Sequence, residues 1–180
     1  MRASLAARSP AVVTVAELDP GEAAALAASY GARLVELAPY ETIPGSYWGD
    51  SEAGLLGDAL YVRADTPAHS FLHELCHYIC MDDARRAALA TDAGGSDDEE
   101  SAVCYLQVLL AERLRGFGSH RCLRDMDAWG YSFREGSARA WFDGDGAFAR
   151  QWLLEHELID GDRNPLARLR PFRASDITKQ

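Results

Sequence analysis

The chain has 180 residues, and 18 Lys plus Arg against 28 Asp plus Glu leave a formal charge of −10. Hydrophobic residues at 48% and charged residues at 26% are globular proportions and exclude a disordered or collagen-like chain. The acidity disfavours phosphate backbones and anionic lipid, and no apolar run nears the ~20 residues that cross a bilayer, so a soluble protein is expected with neither nucleic acid nor membrane as partner.

In chain order, the β-branched run Ala11–Val15 predicts a strand, and Asp19-Pro20 predicts a capped helix reaching Tyr30 and closed by Gly31. Arg33–Leu37 reads as a second strand. Residues 44–57, dense in Gly, Ser, Asp and aromatics, read as a loop, and Ala59–Arg63 as a third strand. Thr66-Pro67 repeats the cap-then-proline signal ahead of the apolar series Phe71, Leu72, Leu75, Cys76 and Ile79. After the break at Gly94-Gly95, Ser96-Asp-Asp-Glu99 has the form of a capping box opening a helix from Asp97 to about Arg115. Helical character returns over 121–129, 137–142 and 148–158, and 163–180 reads as a polar tail. These elements predict one α+β domain over 1–180, a small mixed sheet packed on helices. Three of four cysteines (Cys76, Cys80 and Cys104) fall in helical segments and read as reduced buried thiols, which points to the cytoplasm.

The chemistry concentrates in His73-Glu74-Leu75-Cys76-His77. Residues four apart lie one above the other on a helix, so His73 and His77 can reach a single cation. Zinc takes imidazole nitrogen at about 2.0–2.1 Å, and Glu74 is placed beside the metal, where it can hold a water and take its proton. A catalytic zinc needs a third protein ligand. The candidates downstream are Asp92, Asp97, Asp98, Glu99, Glu100 and His120. At 100° per residue, Ala102, Val103, Leu106, Leu109 and Leu110 form one apolar arc with Glu99 near its centre, while Glu100 lies about a quarter-turn away. A carboxylate aimed at a core must meet a cation, which selects Glu99; the alternative is that Glu99 merely completes the capping box.

With these residues in view, the chain resembles a zincin metallopeptidase of the gluzincin type, and among them the small ImmA/IrrE-type peptidases. In that family a strand and a short loop lead into a His-Glu-Leu-x-His helix, and a later helix carries Glu-x-x-Ala-Asn-x-Phe-Ala-x-x-Leu-Leu. Here Glu99, Ala102, Leu109 and Leu110 match the second pattern and Tyr105 keeps an aromatic, while Val103 departs from its polar residue. The likeness covers about residues 30–115, leaving 116–162 as a helical extension and 163–180 as the tail. It implies a zincin-like fold, Zn²⁺ held by His73, His77 and Glu99, Glu74 as general base, and hydrolysis of a peptide or protein substrate. The alternative is a catalytically silent zincin-like domain that binds metal or a protein partner. Tyr105, Tyr131 and His156 are the candidate oxyanion donors, and nothing in the sequence selects among them. His69, although on the same face as His73, reads as a surface or capping residue. Asp143-Gly-Asp145-Gly lacks the Glu that a calcium loop carries at position 12, which is Leu154 here, and no second Glu-x-x-His supports a di-iron bundle.

Overall fold

The computed structural model describes residues 11–46, 51–89 and 93–171. Strands β1 (Arg33–Glu36), β2 (Gly54–Leu56) and β3 (Ala59–Val62) form a mixed sheet in the order β1-β3-β2, with β1 parallel and β2 antiparallel to β3. The central strand has the apolar residues such a place requires, Leu60 and Val62 being fully buried. β2 lies inside the segment expected to be loop: three residues are too few for an alternation to register, and Gly54 opens them. That glycine is required by packing, since a Cβ there would sit 2.0 Å from the Pro44 carbonyl oxygen.

The expected strand at 11–15 does not join this sheet. Thr14 makes a lone bridge with Pro67, the Val13 amide donates to the Asp125 carboxylate, and Val15–Glu17 turn into a 3-10 helix. Its β-branched residues are spent on the turn before the next helix rather than on a neighbouring strand.

Seven α-helices are described: α1 (Glu22–Ser29), α2 (Ala68–Cys80), α3 (Asp83–Ala88), α4 (Asp97–Ala111), α5 (Gly118–Trp129), α6 (Ala138–Asp143) and α7 (Gly146–Glu155). None is long and apolar enough to cross a membrane. α2 starts at Ala68, because the Thr66 hydroxyl accepts the Arg63 amide in the preceding turn and leaves Pro67 at the cap. It is buried on all sides except at His73 and Glu74, as befits a helix at the centre of a domain. α4 lies against it, and Leu106 and Leu110 share one continuous core with Leu72, Leu75 and Ile79.

Residues 163–171 of the expected tail fold back onto this helix pair. The Arg170 amide donates to the Ile79 carbonyl, its guanidinium to the Cys80 carbonyl, and Arg86 donates to the Arg170 carbonyl. All four cysteines are buried free thiols.

Candidate metal centre

His73, at the one open stretch of α2, and the buried His77 one turn on face the first turn of α4. Their Nε2 atoms lie 3.1 Å apart. The third group is Glu100: one carboxylate oxygen is 3.2 Å from His73 Nε2 and the other 3.4 Å from His77 Nε2. Ligands at 2.0–2.1 Å from a tetrahedral ion stand about 3.3 Å from one another, and one donor atom from each of the three residues lies within 4.8 Å of the others, so an ion among them is within reach of all three. Two neutral imidazoles and a carboxylate are also a donor set that zinc accepts.

Glu99, expected as the third ligand, is elsewhere. Its carboxylate accepts two hydrogen bonds from Arg85 Nη1, at 2.6 and 2.8 Å, and one from Arg170 Nη1 at 3.0 Å. The helical wheel was right that Glu99 is buried and must meet a cation; the cation is a pair of guanidinium groups. Gly95 leaves room for this, because a Cβ there would come within 2.5 Å of the bent-back Glu99 carboxylate. Of the expected capping box only half forms: Ser96 Oγ accepts the Glu99 amide, but the Glu99 side chain does not return to Ser96. Glu100, a quarter-turn further round, is the residue that α4 turns toward the histidines.

Gln107 completes the arrangement from a fully buried position two turns along α4 from Glu100. Its Oε1 accepts from His73 Nδ1 at 2.7 Å, which fixes the tautomer and leaves the Nε2 lone pair for a cation. A signal for it was present, since Gln107 is a polar residue within an apolar helix at the i, i+7 position from Glu100.

Burial alone would raise the Glu100 carboxyl, but the facing His73 and His77 outweigh it and hold the group below its ordinary range. Burial opposes a charge on His73, while the Glu100 carboxylate against the ring favours one. The surroundings therefore favour positive charge where the three donors meet.

Of the candidate oxyanion donors, only Tyr131 is near. Its ring stands edge-on to His73 at 5.9 Å. Tyr105 stacks on Phe142 in the core, and His156 stacks on Trp152 and donates Nδ1–H to its carbonyl. Glu74 follows His73 on α2 and is half-buried.

His69 is neither exposed nor capping. It is fully buried, edge-on to Trp129 at 5.4 Å and Tyr131 at 5.6 Å, and neither ring nitrogen has a hydrogen-bond partner among the described residues. Desolvation, helped by His73, pushes its pKa down to about 3. Because the folded value lies below the unfolded one, its contribution to stability is complete above about pH 6.5 and is lost as pH falls toward 3. In the presence of chelator, wild type should lose about 2 kcal/mol more than His69→Phe between pH 7 and pH 5 in urea unfolding. Parallel losses in the two proteins would contradict a neutral buried imidazole.

Protein-family models, curated proteins and solved structures were each compared with the chain, and none of them matches it.

Proposed function

We propose that this chain is a zinc-dependent peptidase of the zincin kind, with His73, His77 and Glu100 as metal ligands and Glu74 as general base. The observation that carries the reading is the convergence of His73, His77 and Glu100, whose donor atoms lie within 4.8 Å of one another. The His-Glu-x-x-His spacing on a helix and the strand ahead of it support the likeness to ImmA/IrrE-type peptidases. With Glu100 as ligand, the second family pattern shifts by one residue. Its polar position, four after the ligand, then falls on Cys104, which lies beside His73, while its first alanine, aromatic and final leucine fall on Val103, Leu106 and Ala111.

When bound, Zn²⁺ supplies Lewis acidity toward a scissile carbonyl and lowers the pKa of a water. The rest falls to the protein. Gln107 holds the His73 ring in one tautomer. The Glu74 carboxylate takes a proton from the attacking water and delivers it to the leaving amine, so that one group serves both half-steps. The Tyr131 phenol, whose ionisation burial pushes well up, stays protonated as a hydrogen-bond donor beside His73.

Purified protein should carry about one zinc per chain, as a single three-ligand site requires. Cleavage of a mixed peptide library should stop when a chelator removes the metal and return on adding Zn²⁺. Protein that holds no metal at neutral pH, or that cleaves equally well with chelator present, would remove this reading.

A further inference from the structure

A cleft of about 760 Å³ runs between α4 and α7, and Glu100 and Cys104 are among the residues that line it. Its walls come mainly from the part of the chain beyond residue 116, which the family likeness does not cover. The volume is that of a ligand pocket rather than a packing defect and holds several amino-acid residues. Glu100 belongs both to the donor group and to the cleft wall, so a molecule lying in the cleft borders the candidate metal centre at that residue.

The lining combines two chemistries. One is aromatic: Phe133 stacks on Trp141 at 4.8 Å, Trp152 also lines the cleft, and Phe148 is 82% exposed at the lining, which for a large apolar residue is costly unless something covers it. The series continues to the metal centre, because Phe133 also stacks on Tyr131, the residue edge-on to His73. The other is anionic. Asp98, Glu135, Asp145 and Glu155 line the cleft besides Glu100, against the single cation Arg134. Arg134 is itself engaged, 2.6 Å from Asp145 and 3.7 Å from Glu135. Even with Glu100 assigned to a metal, the remaining lining carries an excess of negative charge.

From this we infer that the cleft is the substrate-binding site and selects peptides carrying a large aromatic or aliphatic side chain next to lysine or arginine. This rests on the peptidase reading above and adds the substrate class to it. The apolar side chain would cover Phe148 and lie along the stacked rings, and the neighbouring cation would face Asp98 and Glu155. Aromatic rings also attract a cation placed over their faces, which reinforces the preference. An acidic peptide would meet like charge with no available guanidinium to offset it.

The test separates binding from turnover by using full-length Glu74→Gln protein with Zn²⁺ added and reading tryptophan fluorescence, since Trp141 and Trp152 line the cleft. The probes are acetyl-Phe-Arg-amide, acetyl-Phe-Glu-amide and acetyl-Ala-Arg-amide. The first should bind about tenfold or more tighter than either of the others. Asp98→Lys combined with Glu155→Lys, both at exposed positions, should erase or reverse the Arg-over-Glu preference, and Phe148→Ala should narrow the Phe-over-Ala preference. Equal binding of the three peptides, tighter binding of the acidic one, or no binding would overturn the inference. Protein that binds Phe-Arg selectively but hydrolyses nothing in its Glu74 form would retain the cleft assignment and lose the peptidase reading. Protein that hydrolyses peptides with none of this selectivity would do the reverse.

Discussion

Glu100→Gln should lower zinc affinity by more than the roughly 100-fold that loss of an outer hydrogen-bond partner can cause, while leaving the fold intact. Glu100 is half exposed at the cleft wall, and its oxygens stand 3.2 and 3.4 Å from the two imidazole nitrogens, so the substitution removes one of three ligands and little packing. Glu99→Gln should behave in the opposite way. It takes the charge from a buried carboxylate that faces two guanidinium groups, and leaving Arg170 buried without its counter-ion should cost about 3–5 kcal/mol. Zinc should remain bound wherever that variant is still folded. The pair is read by metal titration alongside chemical unfolding. Should Glu99→Gln release zinc from folded protein while Glu100→Gln keeps it, the assignment of the third ligand reverses. Gln107→Leu gives an intermediate case, with affinity reduced about 10- to 100-fold through the His73 ring.

These neighbouring glutamates show how far the sequence could be read. The His73/His77 pair was legible because its geometry is set within one turn of one helix, whatever surrounds it. The third ligand depends on how α4 is rotated against α2. The apolar arc gave that rotation closely enough to bury Glu99. What it could not supply was the identity of the cation that Glu99 meets. Arg85 lies on the short helix after α2, and Arg170 in a segment that reads as solvated tail, 71 residues from its partner. With the two arginines in place, the buried carboxylate is satisfied and its neighbour is left to face the histidines. His69 fails for a similar reason, since a histidine in a first helical turn is ordinarily solvated, and only the arrival of Trp129 at the end of α5 and Tyr131 just after it buries it.

The fold divides along the same line. Helices with strong local signals appear near their expected places. Ser137 caps α6 through the Ala140 amide, and α5 stops at Gly130, whose φ of +105 suits glycine. β2 and the N-terminal segment depend on what they pair with. Gly54–Leu56 becomes a strand only because β3 is beside it, and Ala11–Val15 does not become one because the turn at 64–68 takes its backbone groups.

Glu74→Gln should reduce peptide cleavage by about 10²- to 10⁴-fold or more while the zinc content and the affinity for an uncleaved peptide stay close to wild type. The amide keeps the size and polarity of the carboxylate but cannot accept and return a proton at neutral pH. The loss should therefore fall on kcat and spare KM, the pattern left when a group acts only in the transition state. Glu100→Gln should be inactive for a different reason, loss of the metal, and zinc content separates the two. A structural zinc has no use for a base and is ordinarily closed by a fourth protein ligand, whereas the donor group here has three members among the described residues, one of which, Glu100, lines a cleft. Equal cleavage by wild type and Glu74→Gln, with contaminating peptidase excluded by a Glu100→Gln control, would remove Glu74 as the base. Zinc-loaded wild type that cleaves no peptide in a broad library would leave His73, His77 and Glu100 as a metal-binding site without hydrolysis.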